Sequence, residues 1–145
     1  MHVADMLHWF EFCVLKSYFL ENMGDKMKTH KDLDVWKDSL ELTNEIYSLT
    51  RTFPKYERFG LSSQMERAAV SITSNIAEGA ARGYDKEFIR FLNYSIASIS
   101  ELETQLFVAK SQKYTDDING ILNSIVAIRK GLYGLIKYLK NKSDK

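Results

Sequence analysis

Proline occurs once, at Pro54, cysteine once, at Cys13, and histidine three times, at His2, His8 and His30. Each scarcity excludes something. A lone cysteine cannot build an internal disulfide framework and fits a reducing cytoplasm. Three scattered histidines offer no zinc-ligand spacing. With one proline and only seven glycines in 145 residues, the chain has few obligatory breaks, so regular structure should dominate it. Net charge is lacking too: 20 Lys and Arg against 19 Asp and Glu leave +1. That gives no chain-wide attraction to nucleic acid or to an anionic membrane. The remaining composition, 45% hydrophobic and 27% charged, fits one globular domain large enough for a real core.

Long hydrophobic runs are nearly absent. The exception is "MLHWFEFCVLKSYFL", residues 6–20, which Glu11 and Lys16 interrupt. It falls short of the roughly 20 apolar residues a membrane span needs. It also lacks the basic start and small-residue cleavage site of a signal peptide. Residues 1–26 are therefore expected to be a non-core extension. They are either an extra docked helix or upstream sequence translated from the wrong start codon, with Met23 or Met27 as the true start. Residues 27–145 are expected to hold the domain.

From Asp32 the periodicity is helical. Leu33, Trp36, Leu40, Thr43, Tyr47 and Thr50 form a first stripe, widened by Leu42, Ile46, Leu49 and Phe53. Pro54 should end this helix. "PKYERFGL" reads as a loop, after which Ser63 and Glu66 have the form of a capping box, with Ser62 as the other candidate cap. Leu61, Met65, Ala69, Ile72 and Ile76 make the second stripe, and Gly83 is the expected stop. Asp85 is expected to cap a third helix with Phe88, Phe91 or Leu92, Ser95, Ile99, Leu102 and Leu106 inward. After "SQKYT", Thr115 is expected to cap the fourth, with Asp116 and Asp117 at the positive end of its dipole. Its stripe is Ile118, Leu122, Ile125, Ile128 or Arg129, Leu132, Leu135 or Ile136, and Leu139. No strand alternation competes. The expected fold is all-α, an antiparallel up-down-up-down four-helix bundle.

Two stretches are short of charge. Between Ala68 and Ala81 the only charged residue is Glu78, and between Phe91 and Ser100 there is none. A helix on the outside of a lone bundle should carry a charged face, so helices two and three are expected to be covered by another subunit. Small residues (Ala68, Ala69, Ser71, Ser74, Ala77, Gly79, Ala80) would permit close backbone approach. Arg67, Ser71, Asn75, Glu78 and Arg82 run along helix two at 4-4-3-4 spacing. Tyr94, Ser98, Glu101 and Gln105 run along helix three at 4-3-4. The two lines are expected to form one hydrogen-bonded network at the interface. The alternative is that both lines are simply solvated.

These residues carry a resemblance. Asp32, Leu33, Val35 and Trp36 match a D-L-x-V-W opening; Phe53-Pro54 and Gly60-Leu61-x-x-Gln64 follow. The run R-A-x-x-S-I-x-x-N-I-A-E-G-x-x-R is complete from Arg67 to Arg82, and S-x-x-E-L-E is complete from Ser98 to Glu103. Over about residues 30–140 the chain resembles the four-helix-bundle family of 23S rRNA intervening-sequence proteins. It departs at Ala97-Ser98, where the family often has glycine before the serine. Residues 1–26 have no counterpart. The resemblance implies a ring-shaped homo-oligomer, typically a pentamer, for which nucleic-acid binding is the usual proposal. A distant relative, the accessory protein of diversity-generating retroelements, binds a reverse transcriptase and nucleic acid.

Catalytic patterns are missing: no Glu-x-x-His pair, phosphate loop, nucleophile elbow or cysteine–histidine set. The expectation is a non-enzyme with no cofactor, no metal and no membrane attachment. Residues 129–145 carry Arg129, Lys130, Lys137, Lys140, Lys142 and Lys145 against Asp144. In an up-down bundle that end lies near Arg82, Lys86 and Arg90. Lys86, Arg90, Lys130, Lys137 and Lys140 are thus candidate contacts to RNA or DNA, multiplied by assembly. The other reading of these lysines is a dipole-complementing, soluble helix end. For the whole protein, the alternative is an oligomeric scaffold that binds a protein partner such as a reverse transcriptase.

Overall fold

The computed structural model describes residues 29–143, so the extension expected over residues 1–26 lies outside the described residues. Four helices follow one another: α1 (Asp34–Thr50), α2 (Leu61–Ala81), α3 (Asp85–Ser111) and α4 (Asn119–Ser143). Short 3-10 turns at His30–Asp32 and Lys55–Glu57 precede α1 and α2, and no strand occurs among the described residues.

The expected stripes of α2 and α4 point inward. Met65, Ala69, Ile72 and Ile76 are fully buried on α2, and Ile125, Ile128, Leu132, Ile136 and Leu139 are buried on α4, with Ile118 buried just before it. On α3 the buried residues are Leu92, Ser95, Ile99, Leu102, Gln105, Leu106 and Ala109, so Leu92 rather than Phe91 takes the inward position. The α1 stripe needs correction. Leu40 and Tyr47 are exposed, while Val35, Ser39, Leu42, Thr43, Ile46 and Thr50 are buried. Two overlapping apolar stripes run along this helix. Packing against α2 and α4 selects the one built on Leu42 and Ile46. Each fully buried Leu or Ile contributes roughly 1.5–3 kcal/mol.

Buried hydroxyls find partners within this core. Thr43 Oγ1 donates to the Ser39 carbonyl at 2.8 Å and lies 3.3 Å from Thr73 Oγ1 on α2. Ser95 Oγ donates to the Ile72 carbonyl at 2.9 Å, tying α3 to α2. Arg129 is turned out of the α4 stripe and meets Glu103 of α3 at 2.6 Å, both side chains being less than a third exposed.

The helix starts differ from the sequence-based expectation. Helix α2 begins at Leu61, ahead of both serines, so neither Ser62 nor Ser63 caps it. The acceptor is Glu57, whose Oε2 takes the Leu61 N–H at 2.8 Å. Glu66 instead accepts from Thr50 Oγ1 at 2.6 Å. Asp85 is the first residue of α3 rather than its cap, and its carboxylate lies 3.3 Å from Lys142 Nζ. At α4 the cap is Asp117, whose Oδ1 accepts the Asn119 N–H at 2.8 Å; Thr115 Oγ1 turns to the Asp117 carbonyl. At α2 and α4 an acid whose reach suits a free amide displaces the expected hydroxyl; at α3 the expected acid turns to a cation instead. Gly83 ends α2 as expected, with φ +74°, a left-handed conformation that glycine adopts without strain.

Candidate assembly and nucleic-acid interface

The small residues of α2 are used first within the chain. Ala68, Ala69 and Gly79 are buried. A Cβ on Gly79 would lie 2.6 Å from Phe91 Cβ and 2.9 Å from Phe88 Cδ2, both on α3. Close approach to α3 accounts for Gly79, and the Ala69 carbonyl accepts from Thr43 Oγ1 of α1 at 3.3 Å, so burial within the chain takes up positions expected to admit a second subunit. What α2 leaves to solvent beyond Ala69 is Val70, Ser74, Glu78 and Ala81. That strip carries one charge.

The two polar lines touch at a single point, where Ser71 Oγ and Ser98 Oγ stand 3.0 Å apart. Asn75 Nδ2 extends this contact, donating to the Ser71 carbonyl at 2.8 Å and to its Oγ at 3.1 Å. The other members bond along their own helices. Arg82 meets Glu78 at 2.6 Å, both about half exposed, and the Arg82 guanidinium lies 5.0 Å from the centre of the Phe91 ring. Gln105 Nε2 donates to Glu101 at 3.1 Å, and the buried Gln105 Oε1 has no partner among the described residues. Arg67 is exposed beside an open hollow of about 430 Å³, which Tyr47, Glu66, Val70 and Ser71 also line.

The candidate nucleic-acid residues divide into two groups. The Lys142–Asp85 contact brings the end of α4 to the start of α3, so Lys137 and Lys140 share one end of the molecule with Lys86 and Arg90. All four are exposed. The Arg90 Nε donates to the Tyr94 hydroxyl at 2.8 Å and its Nη1 lies 3.4 Å from Glu87. The bond to Tyr94, then the Glu87 charge, raise its pKa further above the usual arginine value. Lys86, Lys137 and Lys140 form no ion pair among the described residues. Lys130 stands apart, about 18 Å along α4 from Lys142 at 1.5 Å per residue.

The α1–α2 connection was read from the sequence only as a loop. There Glu57 joins two connections: beyond its bond to Leu61, its Oε1 accepts from the Tyr114 hydroxyl at 3.0 Å. Tyr56 OH lies 3.4 Å from Tyr114 OH, and the Phe53 and Tyr114 ring centroids are 5.5 Å apart. The hydrogen bond with Tyr56, then burial, then Glu57 hold the Tyr114 hydroxyl protonated well above the usual tyrosine range. The available signal was an acid four residues before a helix start. Among the described residues no cluster of His, Cys, Asp and Glu could hold a metal. None of their helices is long and apolar enough to cross a membrane.

The sequence pattern of the 23S rRNA-intervening sequence protein family matches residues 31–134. A solved structure similar to this chain is that of a protein of unknown function from the S23 ribosomal protein family of Bacteroides thetaiotaomicron. It shares 24% sequence identity, covers 72% of this chain and 94% of its own, and superposes with a TM-score of 0.52. At that identity the likeness concerns the fold. A comparison with curated proteins returned no match.

Proposed function

From the premise that this chain belongs to the 23S rRNA-intervening sequence protein family, we propose that it is a non-enzymatic homo-oligomer that binds nucleic acid. Its subunit is an up-down-up-down bundle, assembled as a ring. Opposed registers support the subunit topology. Thr43 meets Thr73 while Thr50 meets Glu66, and Arg129 meets Glu103 while Lys142 meets Asp85. As numbers rise on one helix of each pair they fall on the other. The ring of five subunits follows from the family resemblance, and a repeated basic end would multiply phosphate contacts that +1 on one subunit could not supply.

The observation that carries assembly is the exposed strip of α2, where Glu78 is the one charge among Val70, Ser74 and Ala81. Glu78→Ala distinguishes an interface from a solvated surface. An exposed pair at i,i+4 is worth only about 0.3–0.5 kcal/mol, so in a monomer the variant would behave like the parent. In an assembled ring, static light scattering at micromolar concentration should show smaller species and a lower melting temperature. A variant that assembles and melts like the parent removes Glu78 from the interface.

Binding is tested at the basic end. Lys137→Glu combined with Lys140→Glu should weaken binding to structured RNA and to duplex DNA without changing the subunit number. Each lost phosphate contact should flatten the plot of log K against log salt by about 1. If the parent oligomer binds neither nucleic acid at low salt, the scaffold reading with a protein partner replaces this one.

A further inference from the structure

Two aromatic rings project from the α1–α2 connection into solvent. Phe59 is 89% exposed and Tyr56 75% exposed. The backbone beneath them is fixed. Glu57 N–H donates to the Pro54 carbonyl at 2.9 Å, Arg58 N–H to Lys55 at 3.2 Å and Gly60 N–H to Glu57 at 2.9 Å. The Glu57 side chain fastens this turn to Leu61 and Tyr114. Tyr56 leans edge-on against Tyr114, ring centroids 6.4 Å apart.

Cations interleave with the rings. The Arg58 guanidinium sits 5.6 Å from the centre of the Phe59 ring. Arg51, Lys55, Arg58 and Lys113 are exposed at this end. The acids near them, Glu57, Glu66 and Asp117, are engaged by the Leu61 N–H, the Thr50 hydroxyl and the Asn119 N–H, and Asp116 is exposed. Exposed rings on a hydrogen-bonded turn and interleaved with cations form a surface that a flat, negatively charged chain can cover.

We propose that the α1–α2 connection is a stacking platform for single-stranded nucleic acid, with Phe59 and Tyr56 each taking the face of a base while Lys55 and Arg58 meet the flanking phosphates. Only an unpaired base offers its face; a duplex hides it, so the platform favours single strands. The site is separate from the basic end, since the 21 residues of α2 place about 30 Å between the two connections. It stands whether or not Lys137 and Lys140 touch nucleic acid.

The test titrates the full chain at low salt with 12-nucleotide single strands of RNA and of DNA carrying 2-aminopurine, and with duplexes of the same length. Quenching of the 2-aminopurine reports stacking, and comparison of the two single strands assigns the sugar. Phe59→Ala should weaken single-strand binding about tenfold and reduce the quench. Phe59→Trp should retain both, and Lys137→Glu with Lys140→Glu should leave the quench in place. Binding by Phe59→Ala equal to the parent, or a preference for duplex in the Lys137→Glu, Lys140→Glu protein, overturns the proposal. So does a change of subunit number in Phe59→Ala, because the ring would then be covered by a second copy of this chain.

Discussion

Gly79→Val should destabilise the fold by about 3 kcal/mol and lower the melting temperature by about 10 °C. The first carbon of any side chain at this position would stand 2.6 Å from Phe91 Cβ, 2.9 Å from Phe88 Cδ2 and 3.3 Å from the Phe88 carbonyl. Phe91 Cβ and the Phe88 carbonyl are attached directly to the α3 backbone, so no rotamer change relieves the clash. Helices α2 and α3 must separate, which loosens the core that buries Ile76 and Leu92. Valine adds two further methyl groups to that contact. Gly79→Ala separates two opposing effects, because alanine gains about 1 kcal/mol of helix propensity over glycine. The overpacking cost should still win. Urea unfolding at fixed protein concentration measures both variants, and a Gly79→Ala protein more stable than the parent would refute the close approach.

Leu102→Ala should cost about 2–5 kcal/mol. Leu102 is fully buried, and truncation removes its transfer free energy and leaves a cavity that rigid helices fill only in part. Leu102→Met, nearly equal in volume, should cost less than about 1.5 kcal/mol. The comparison excludes a general sensitivity of α3 to substitution. Equal losses for the two variants would show that shape, rather than volume, governs this site. The position is informative because its neighbours have different tasks: Glu101 accepts from Gln105 along the helix, while Glu103 crosses to Arg129 on α4. Three consecutive residues thus serve a surface, the core and a helix pair.

Helices α2 and α4 were legible in the sequence because each carries one dominant apolar stripe, and periodicity needs nothing more. On α1 two stripes overlap, with Leu40 and Tyr47 on one and Leu42 and Ile46 on the other. Local spacing cannot choose between them, because the choice depends on where α2 and α4 press. The cap residues failed for a related reason. Glu57 and Asp117 have carboxylates that win amides over nearby hydroxyls, while Asp85 is drawn from its amides to Lys142, and the winner depends on where the chain enters the helix. The small residues of α2 were recognised as a sign of close packing, but sequence does not say which helix approaches. At Gly79 it is the chain's own α3. At the candidate site, the Lys142–Asp85 contact brings the end of α4 that carries Lys137 and Lys140 to the start of α3. The Tyr56 and Phe59 rings were passed over, because exposure is decided by the fold and not by residue type.

The closest helix pair is also the pair joined by the shortest connection. Only Arg82, Gly83 and Tyr84 separate α2 from α3, and Ser95 already reaches back to Ile72. Bringing such near neighbours together costs little chain entropy. By contrast, α1 and α4 meet through pairs such as Glu45 and Ser124, 79 positions apart. Contacts of that span are slow to form unless a template holds their ends near. The order of events that follows runs from the middle of the chain outward: the α2–α3 hairpin closes first, and the two outer helices dock onto it from opposite directions along the sequence.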